Sequence, residues 1–337
     1  MYNLYLTIQV KYGASGMQGW RKRMEDSHIS DLNASDGIHV FGVFDGHGGR
    51  EVAVWVKKHF TKELVNLKSF KSNNVRAALS ENFLRLDQIM VEPNNKLELK
   101  MENKKSKEDD ERISRGQESS EKNRQMEMFK QMMDPKGQED CDIAMFTGCT
   151  ACVVAVDEIN ENIICANAGD SRAILAKKGV AYALSNDHKP DLESEKTRIY
   201  KADGWVSEGR VKGNLNLSRS LGDLEYKQNK KVPQEDQMIT ANPEVIEHKL
   251  SNDCDFLVIA CDGVWDCKTN QEVADFVYKR MKNNPNYKLS KIIEELLDEC
   301  LATDIYNRKF INNKIIETGV GCDHMTCVIV NFKKNKK

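Results

Sequence analysis

Several aspartates in this 337-residue chain stand where apolar segments end or begin. Asp45 follows the run IHVFGVF, Asp262 follows DFLVIAC, and a glycine comes straight after each, as Gly46 and Gly263. Asp323 stands just ahead of MTCVIVNF, Asp170 lies at the turn inside CANAGDSRAIL, and Asp266 comes four residues after Asp262. Taken singly, an Asp-Gly pair at the end of an apolar run is a turn. Carboxylates gathered at one site, however, raise one another's pKa and oppose folding unless a cation joins them. Ligands that are all oxygen select hard ions, so magnesium or manganese is expected over zinc or copper. Gly46 suits such a site because, with no side chain, its carbonyl can come close to an ion. His47, two residues after Asp45, could hold a metal or give up a proton, and its position leaves both roles open. The glycines of DGHGG do not make a phosphate loop, since the Gly-Lys-Ser/Thr ending and the dinucleotide spacing are both missing.

These residues need elements to position them. The runs IHVFGVF, TACVVAV, NIICANAG, SRAILAKK, VIEHKL, DFLVIAC and MTCVIVNF are rich in β-branched and aromatic residues and bounded by turn residues, so they read as strands. Helices are expected over Arg50 to Leu67 and Leu289 to Leu301, and after the capping box Thr269-Asn270-Gln271-Glu272. Strands in consecutive runs favour antiparallel sheets packed face to face under helices over a doubly wound parallel sheet. In an antiparallel pair the C-terminal end of one strand lies beside the N-terminal end of its neighbour. Asp45, Asp262 and Asp323 are therefore expected at one edge of a sandwich. Cys149-Thr150-Ala151-Cys152 has the spacing of a redox or zinc half-site, but it has no second half and continues as an apolar strand, so packing is the expectation.

With 40% hydrophobic residues the chain can bury a substantial core, and 50 basic against 52 acidic residues leave no net field for nucleic acid or an anionic membrane. No apolar run approaches the roughly 20 residues of a membrane helix, and the start MYNLYLTIQVKYG lacks a basic leader with a long apolar core. The 10 cysteines are scattered, several of them in apolar segments such as TACVVAV and DFLVIACDG, as reduced thiols are in cores. The expectation is a soluble, intracellular monomer, cytoplasmic, with the tail FKKNKK leaving nuclear residence open. Residues 94–142 are charged or polar nearly throughout and are expected to form a flexible insert, with a solvated helix as the alternative. Met126, Met128, Phe129, Met132 and Met133 at its end could dock it.

An ordered series of motifs resembles the metal-dependent serine/threonine protein phosphatases of type 2C, the PPM family: GMQGWR with MED, FGVFDGHGG, FTGCTACVV, NAGDSRAIL, DHKPDLESEKTRI, RVKGNLNLSRSLGDLEYK, FLVIACDGVWD and GCDHMTCVIV. The resemblance spans roughly Tyr12 to Phe332, broken only by the charged insert. It implies one domain over 1–337, an α+β fold of four layers, α-β-β-α, with two antiparallel sheets flanked by helices and a flap subdomain at about 186–213 beside the active site.

The resemblance further implies hydrolysis of phosphoserine and phosphothreonine in proteins, with two Mg2+ or Mn2+ ions per site and a weaker third. Asp45 would bridge both ions, Gly46 and waters would complete one shell, Asp262 and Asp323 would hold the other ion, and Glu25 and Asp26 would sit in the inner or water-mediated shell. Asp170 and Asp266, with Asp262, match the third position. Arg21 would bind the substrate phosphate, and His47 is the matching general acid. A metal-bridging hydroxide would attack in line, with no phosphoenzyme. His28 is expected behind the ligands. Arg172, Arg210 and Arg219 could meet substrate, although pairing with carboxylates in turns is favoured. One departure stands out: the family usually has Asp-Asn where Asp323-His324 stands. Two other classes are disfavoured. A catalytically dead relative should have lost metal carboxylates, and a nuclease should have a basic groove with stacking aromatics.

Overall fold

The computed structural model describes residues 8–116, 142–302, 309–311, 314–316 and 319–334. The first half runs β1 (Ile8–Met17), β2 (Ser27–Ser35), β3 (Ile38–Phe44), β4 (Gly46–His47), then helices α1 (Glu51–Asn66), α2 (Lys68–Lys71), α3 (Val75–Met90) and α4 (Pro93–Gly116). Strands follow as β5 (Gly148–Cys149), β6 (Ala151–Asp157), β7 (Asn162–Ala168), β8 (Arg172–Lys177), β9 (Val180–Ala183), β10 (Val206–Ser207), β11 (Arg210–Val211), β12 (Leu221–Gly222), β13 (Glu244–Lys249) and β14 (Cys254–Ala260). After helices Asn270–Asn283 and Leu289–Cys300 come β15 (Lys309–Ile311), β16 (Lys314–Ile316) and β17 (Met325–Lys334).

Two five-stranded sheets form the centre, in the orders β1-β17-β14-β8-β9 and β13-β7-β6-β3-β2, and every pair within them is antiparallel. Phe41, Val43, Cys152, Val154 and Cys165 of one sheet meet Leu175, Leu257, Ile259, Val328 and Val330 of the other. Alternate residues point outward instead. Val40, Phe44, Val153 and Ala155 pack under Val52, Val56, Phe60, Leu79 and Phe83 of α1 and α3. Ile174, Val258 and Ile329 pack under Val273, Val277, Ile293 and Leu297 of the two C-terminal helices. Because both faces are covered at the centre of each sheet, β3, β6, β7 and β14 read as unbroken apolar runs rather than alternating ones. The order is thus helix, sheet, sheet, helix, as expected. Each fully buried large side chain contributes roughly 1.5–3 kcal/mol. Thr269 caps its helix reciprocally with Glu272.

The charged stretch after Asn94 differs from the expected loop: as far as Gly116 it is a helix. Glu, Lys and Gln hold helical backbone readily, and a narrow stripe of Leu99, Glu102 and Ser106 is buried. Ion pairs complete the seam with α1, since Glu98 meets His59 at 2.8 Å and Lys58 at 3.2 Å and Arg50 meets Asp109 at 2.8 Å. The methionines and Phe129 proposed to dock the insert lie outside the described residues.

Helix Glu193–Lys201 and the hairpin β10-β11 belong to a small separate core of Ile199, Val211, Tyr226, Met238 and Ile239. The expected flap therefore shares its packing with residues well beyond Gly213. Cys149 and Cys152 are both fully buried and fall in different core layers, as packing residues rather than a half-site. Among the described residues, no helix is long and apolar enough to cross a membrane.

Candidate metal centre

Strand ends bring the aspartates together. β3 ends at Phe44 and delivers Asp45, while β14 ends at Ala260 and delivers Cys261 and then Asp262, the first residue of a short helix. β17 pairs with β14, with Ala260 opposite Cys327, so Asp323 and His324 just ahead of β17 lie beside Asp262. Asp26 directly precedes β2, whose Ser27 pairs with Phe44, and Asp170 sits where the chain passes from β7 in one sheet to β8 in the other.

Charge shows how close these groups are. Burial first, then Asp26, Asp262, Asp170 and Asp323, push the Asp45 carboxyl well above the usual carboxylate range. Asp262 is pushed up to about 7, by burial and then by Asp170, Asp323 and Asp266. Burial likewise raises Glu25 and Asp266. Among the described residues, Asp26, Asp45 and Cys261 place ligand atoms within 4.8 Å of one another.

Asp26 tests whether a cation fits. Its side chain is 0% exposed, and neither carboxylate oxygen has a hydrogen-bond partner. A buried carboxylate in that state costs several kcal/mol unless a positive charge meets it. The nearest is the His324 ring, whose Nδ1 lies 2.8 Å from Asp26, 3.5 Å from Asp323 and 3.7 Å from Asp45. Burial opposes charge on that ring, yet the carboxylates carry it up to about 9. Apart from the Cys261 thiol the donors are carboxylates, which suits a hard divalent ion. A Cβ at Gly46 would sit 2.4 Å from the Glu25 carbonyl oxygen, so only glycine lets these two segments meet. Gly48 and Gly49, at φ +71° and +141°, then turn the chain into α1.

Around the carboxylates stand the basic groups. Arg21, with a half-exposed side chain, places Nη2 2.5 Å from Asp323 Oδ2. Burial opposes its charge, but Asp323, Asp262 and Asp45 hold the guanidinium pKa above its ordinary value. Lys189 is ion-paired to Asp170. His47 Nε2 lies 2.7 Å from Asp223 Oδ2; burial works against its charge, and Asp223 more than reverses this, raising the ring's pKa. His28 lies on β2, its pKa lowered by burial and then by Lys57. The three arginines that could have met substrate are engaged within the chain. Arg172 forks onto Asp187 at 2.9 and 2.7 Å, Arg219 grips Glu195 at 2.6 Å, and Arg210 donates to the Asn214 carbonyl at 2.7 Å.

Asp223, Lys189 and Cys261 are the neighbours that the sequence did not single out. Asp223 stands inside a quoted motif, SRSLGDLEYK, but nothing in the local pattern links it to a histidine 176 residues away.

Comparison with known proteins identifies the family. Residues 10–99 and 91–308 match the family model described as "Protein phosphatase 2C". An Arabidopsis thaliana relative, "Probable protein phosphatase 2C 21", is 40% identical over 333 residues, covering 97% of this chain and 88% of its own length. A Paramecium tetraurelia relative, "Probable protein phosphatase 2C 6", is 40% identical over 324 residues, covering 96% and 93%. In fold the chain is similar to a solved Toxoplasma gondii phosphatase at TM-score 0.64 and 22% identity, covering 97% of this chain and 95% of that one. The chain belongs to the protein phosphatase 2C family and is a protein serine/threonine phosphatase.

Proposed function

We propose that this chain removes phosphate from phosphoserine and phosphothreonine in proteins by direct attack of water, without a phosphoenzyme. The observation that carries the reading is the fully buried Asp26 carboxylate, met by the His324 ring at 2.8 Å and gathered with Asp45, Asp262 and Asp323. Asp45, the Gly46 carbonyl, Asp262 and Asp323 would hold two Mg2+ or Mn2+ ions, with Glu25 and Asp26 in the inner or water-mediated shell, and Asp170 and Asp266 would hold a weaker third. When bound, such ions neutralise the phosphoryl oxygens and acidify a shared water toward hydroxide near neutral pH.

The chain's own groups do the rest. Arg21 offers a planar fork suited to two parallel hydrogen bonds with a phosphate dianion, and substrate would draw it from Asp323. His47 gives its proton to the leaving serine or threonine oxygen. Among the described residues, Cys261 is the thiol at the cluster; it is fully buried, and burial with Asp26, Asp45 and Asp262 pushes it well up, away from the reactive thiolate. Phosphorylated proteins would lie across the flap.

Asp262→Asn tests the assignment. Metal-supported turnover of a phosphoserine peptide should disappear while circular dichroism and cooperative melting persist. Turnover within about twofold of the parent would contradict it.

A further inference from the structure

His47 is tied on one side only. A carboxylate can only accept, so the contact at 2.7 Å from Asp223 Oδ2 requires that Nε2 of His47 carry the hydrogen. The other ring nitrogen, Nδ1, makes no hydrogen bond to another described residue, and the side chain is 25% exposed. Asp223 is 3% exposed and also accepts from Ser220 Oγ at 2.5 Å.

The pair sits on a small sheet of its own, in the order β12-β5-β4. His47 on β4 and Gly222 on β12 both lie opposite Gly148 on the middle strand. A Cβ at Gly148 would be 2.2 Å from Asp223 Oδ2 and 2.7 Å from His47 Nε2, so this glycine is what allows carboxylate and ring to meet. Asp223 holds a left-handed backbone, φ +49° and ψ +39°, with its N–H given to the Thr147 carbonyl at 3.1 Å. Behind it, Asp87 of α3 accepts from the Gly222 N–H at 2.9 Å and from Lys227 Nζ at 2.5 Å, anchoring the loop on both sides of Asp223. Aspartate and asparagine tolerate that backbone better than most residues. So much fixed structure behind one carboxylate oxygen points to a purpose beyond filling a turn.

We propose that Asp223 is the positioning residue for His47: it holds the Nε2–H and so turns Nδ1 toward the leaving oxygen of the substrate. The proposal rests on His47 being the proton donor. As the phosphorus–oxygen bond to the serine or threonine breaks, the Nδ1 proton moves to that oxygen. The other proton stays on Nε2, hydrogen-bonded to the Asp223 carboxylate, and the ring ends neutral in a single tautomer.

Leaving groups separate this from a structural role. Asp223→Asn keeps shape and backbone preference but removes the charge. With Mn2+, kcat for a phosphoserine peptide should fall about 10- to 100-fold, while kcat for p-nitrophenyl phosphate, whose leaving group needs no proton, falls less than about threefold. KM and calorimetric Mn2+ affinity should stay within about twofold of the parent. Gly148→Ala, which wedges the pair apart with both side chains retained, should give the same split. Equal loss on both substrates overturns the proposal. So does Asp223→Asn retaining full phosphoserine turnover while His47→Ala loses it selectively. If His47→Ala itself loses both substrates equally, the reading of His47 as acid fails instead. A measurement on the unsubstituted protein covers a variant that does not fold. Nitrogen-detected NMR of the neutral His47 ring should show hydrogen on Nε2, and hydrogen on Nδ1 overturns the proposal.

Discussion

Asp262 carries a proton in the metal-free fold at pH values where an ordinary carboxyl has lost it, because burial and three neighbouring aspartates push its pKa up to about 7. Its unfolded value is about 3.9. Between these two values the folded state binds more protons than the unfolded one, so stability from this group falls as pH rises from about 4 to about 7 and then levels off. Asp262→Asn removes the dependence. In chelator, its stability advantage over the parent should grow across that window to roughly 1–3 kcal/mol, as read from urea unfolding at several pH values. An advantage that shrinks as pH rises would contradict the coupling. Asp45 and Asp262 were legible in sequence because each ends a strand and precedes glycine. Asp223 and the contacts of His324 were not: Asp223 meets His47 only when β12, β5 and β4 pair, and His324 meets Asp26 and Asp45 only once the two sheets are stacked.

Elements carry charge in two further places. Glu195, on helix Glu193–Lys201, is 1% exposed and receives Arg219, Arg198 and Ser218 at 2.6, 2.7 and 2.7 Å. Burial would raise its pKa, but these donors hold it down to about 2. A depressed acid stabilises fully above its unfolded pKa and loses that contribution as pH falls toward the folded one. Helix Glu193–Lys201 and its small core should therefore open to hydrogen exchange between about pH 4 and 2, ahead of the sheets. Glu195→Gln leaves two buried guanidinium groups short of a counter-charge and should cost about 3–5 kcal/mol, measured by denaturant unfolding; a change below about 1 kcal/mol would show that the guanidinium groups find other partners. On α4, Leu99 is 1% exposed, and Leu99→Ala should cost about 2–4 kcal/mol. A melting temperature equal to the parent's would mean that α4 contributes nothing to the fold's stability. This helix reads as a loop in sequence because one apolar residue and a row of ion pairs make its seam, and apolar periodicity does not register ion pairs. The central strands read correctly because covered sheets leave apolar runs behind, whereas β1 and β2, at the sheet edges, were not singled out.

At the scale of the whole molecule, the sandwich exists to hold two sheet edges in register. One sheet brings Asp262 and Asp323 on adjacent strands, and the other brings Asp45 and Asp26 on adjacent strands. The layer between them, Phe41, Val43, Leu257 and Val328 among others, fixes the distance at which these carboxylates face one another. The four-layer order was legible from consecutive apolar strands and flanking helices, whereas the small core around Ile199 and Val211 was hidden because it is gathered from segments scattered between Ile199 and Ile239. The central claim is that this edge works only with divalent metal. The most direct measurement is phosphate release from a phosphoserine peptide by the full chain, with Mn2+ or Mg2+, then with excess chelator, then with metal restored. Release that needs the ion, stops with chelator and returns on re-addition is the predicted result. Release that continues unchanged in chelator, or never occurs with either ion near neutral pH, would contradict it.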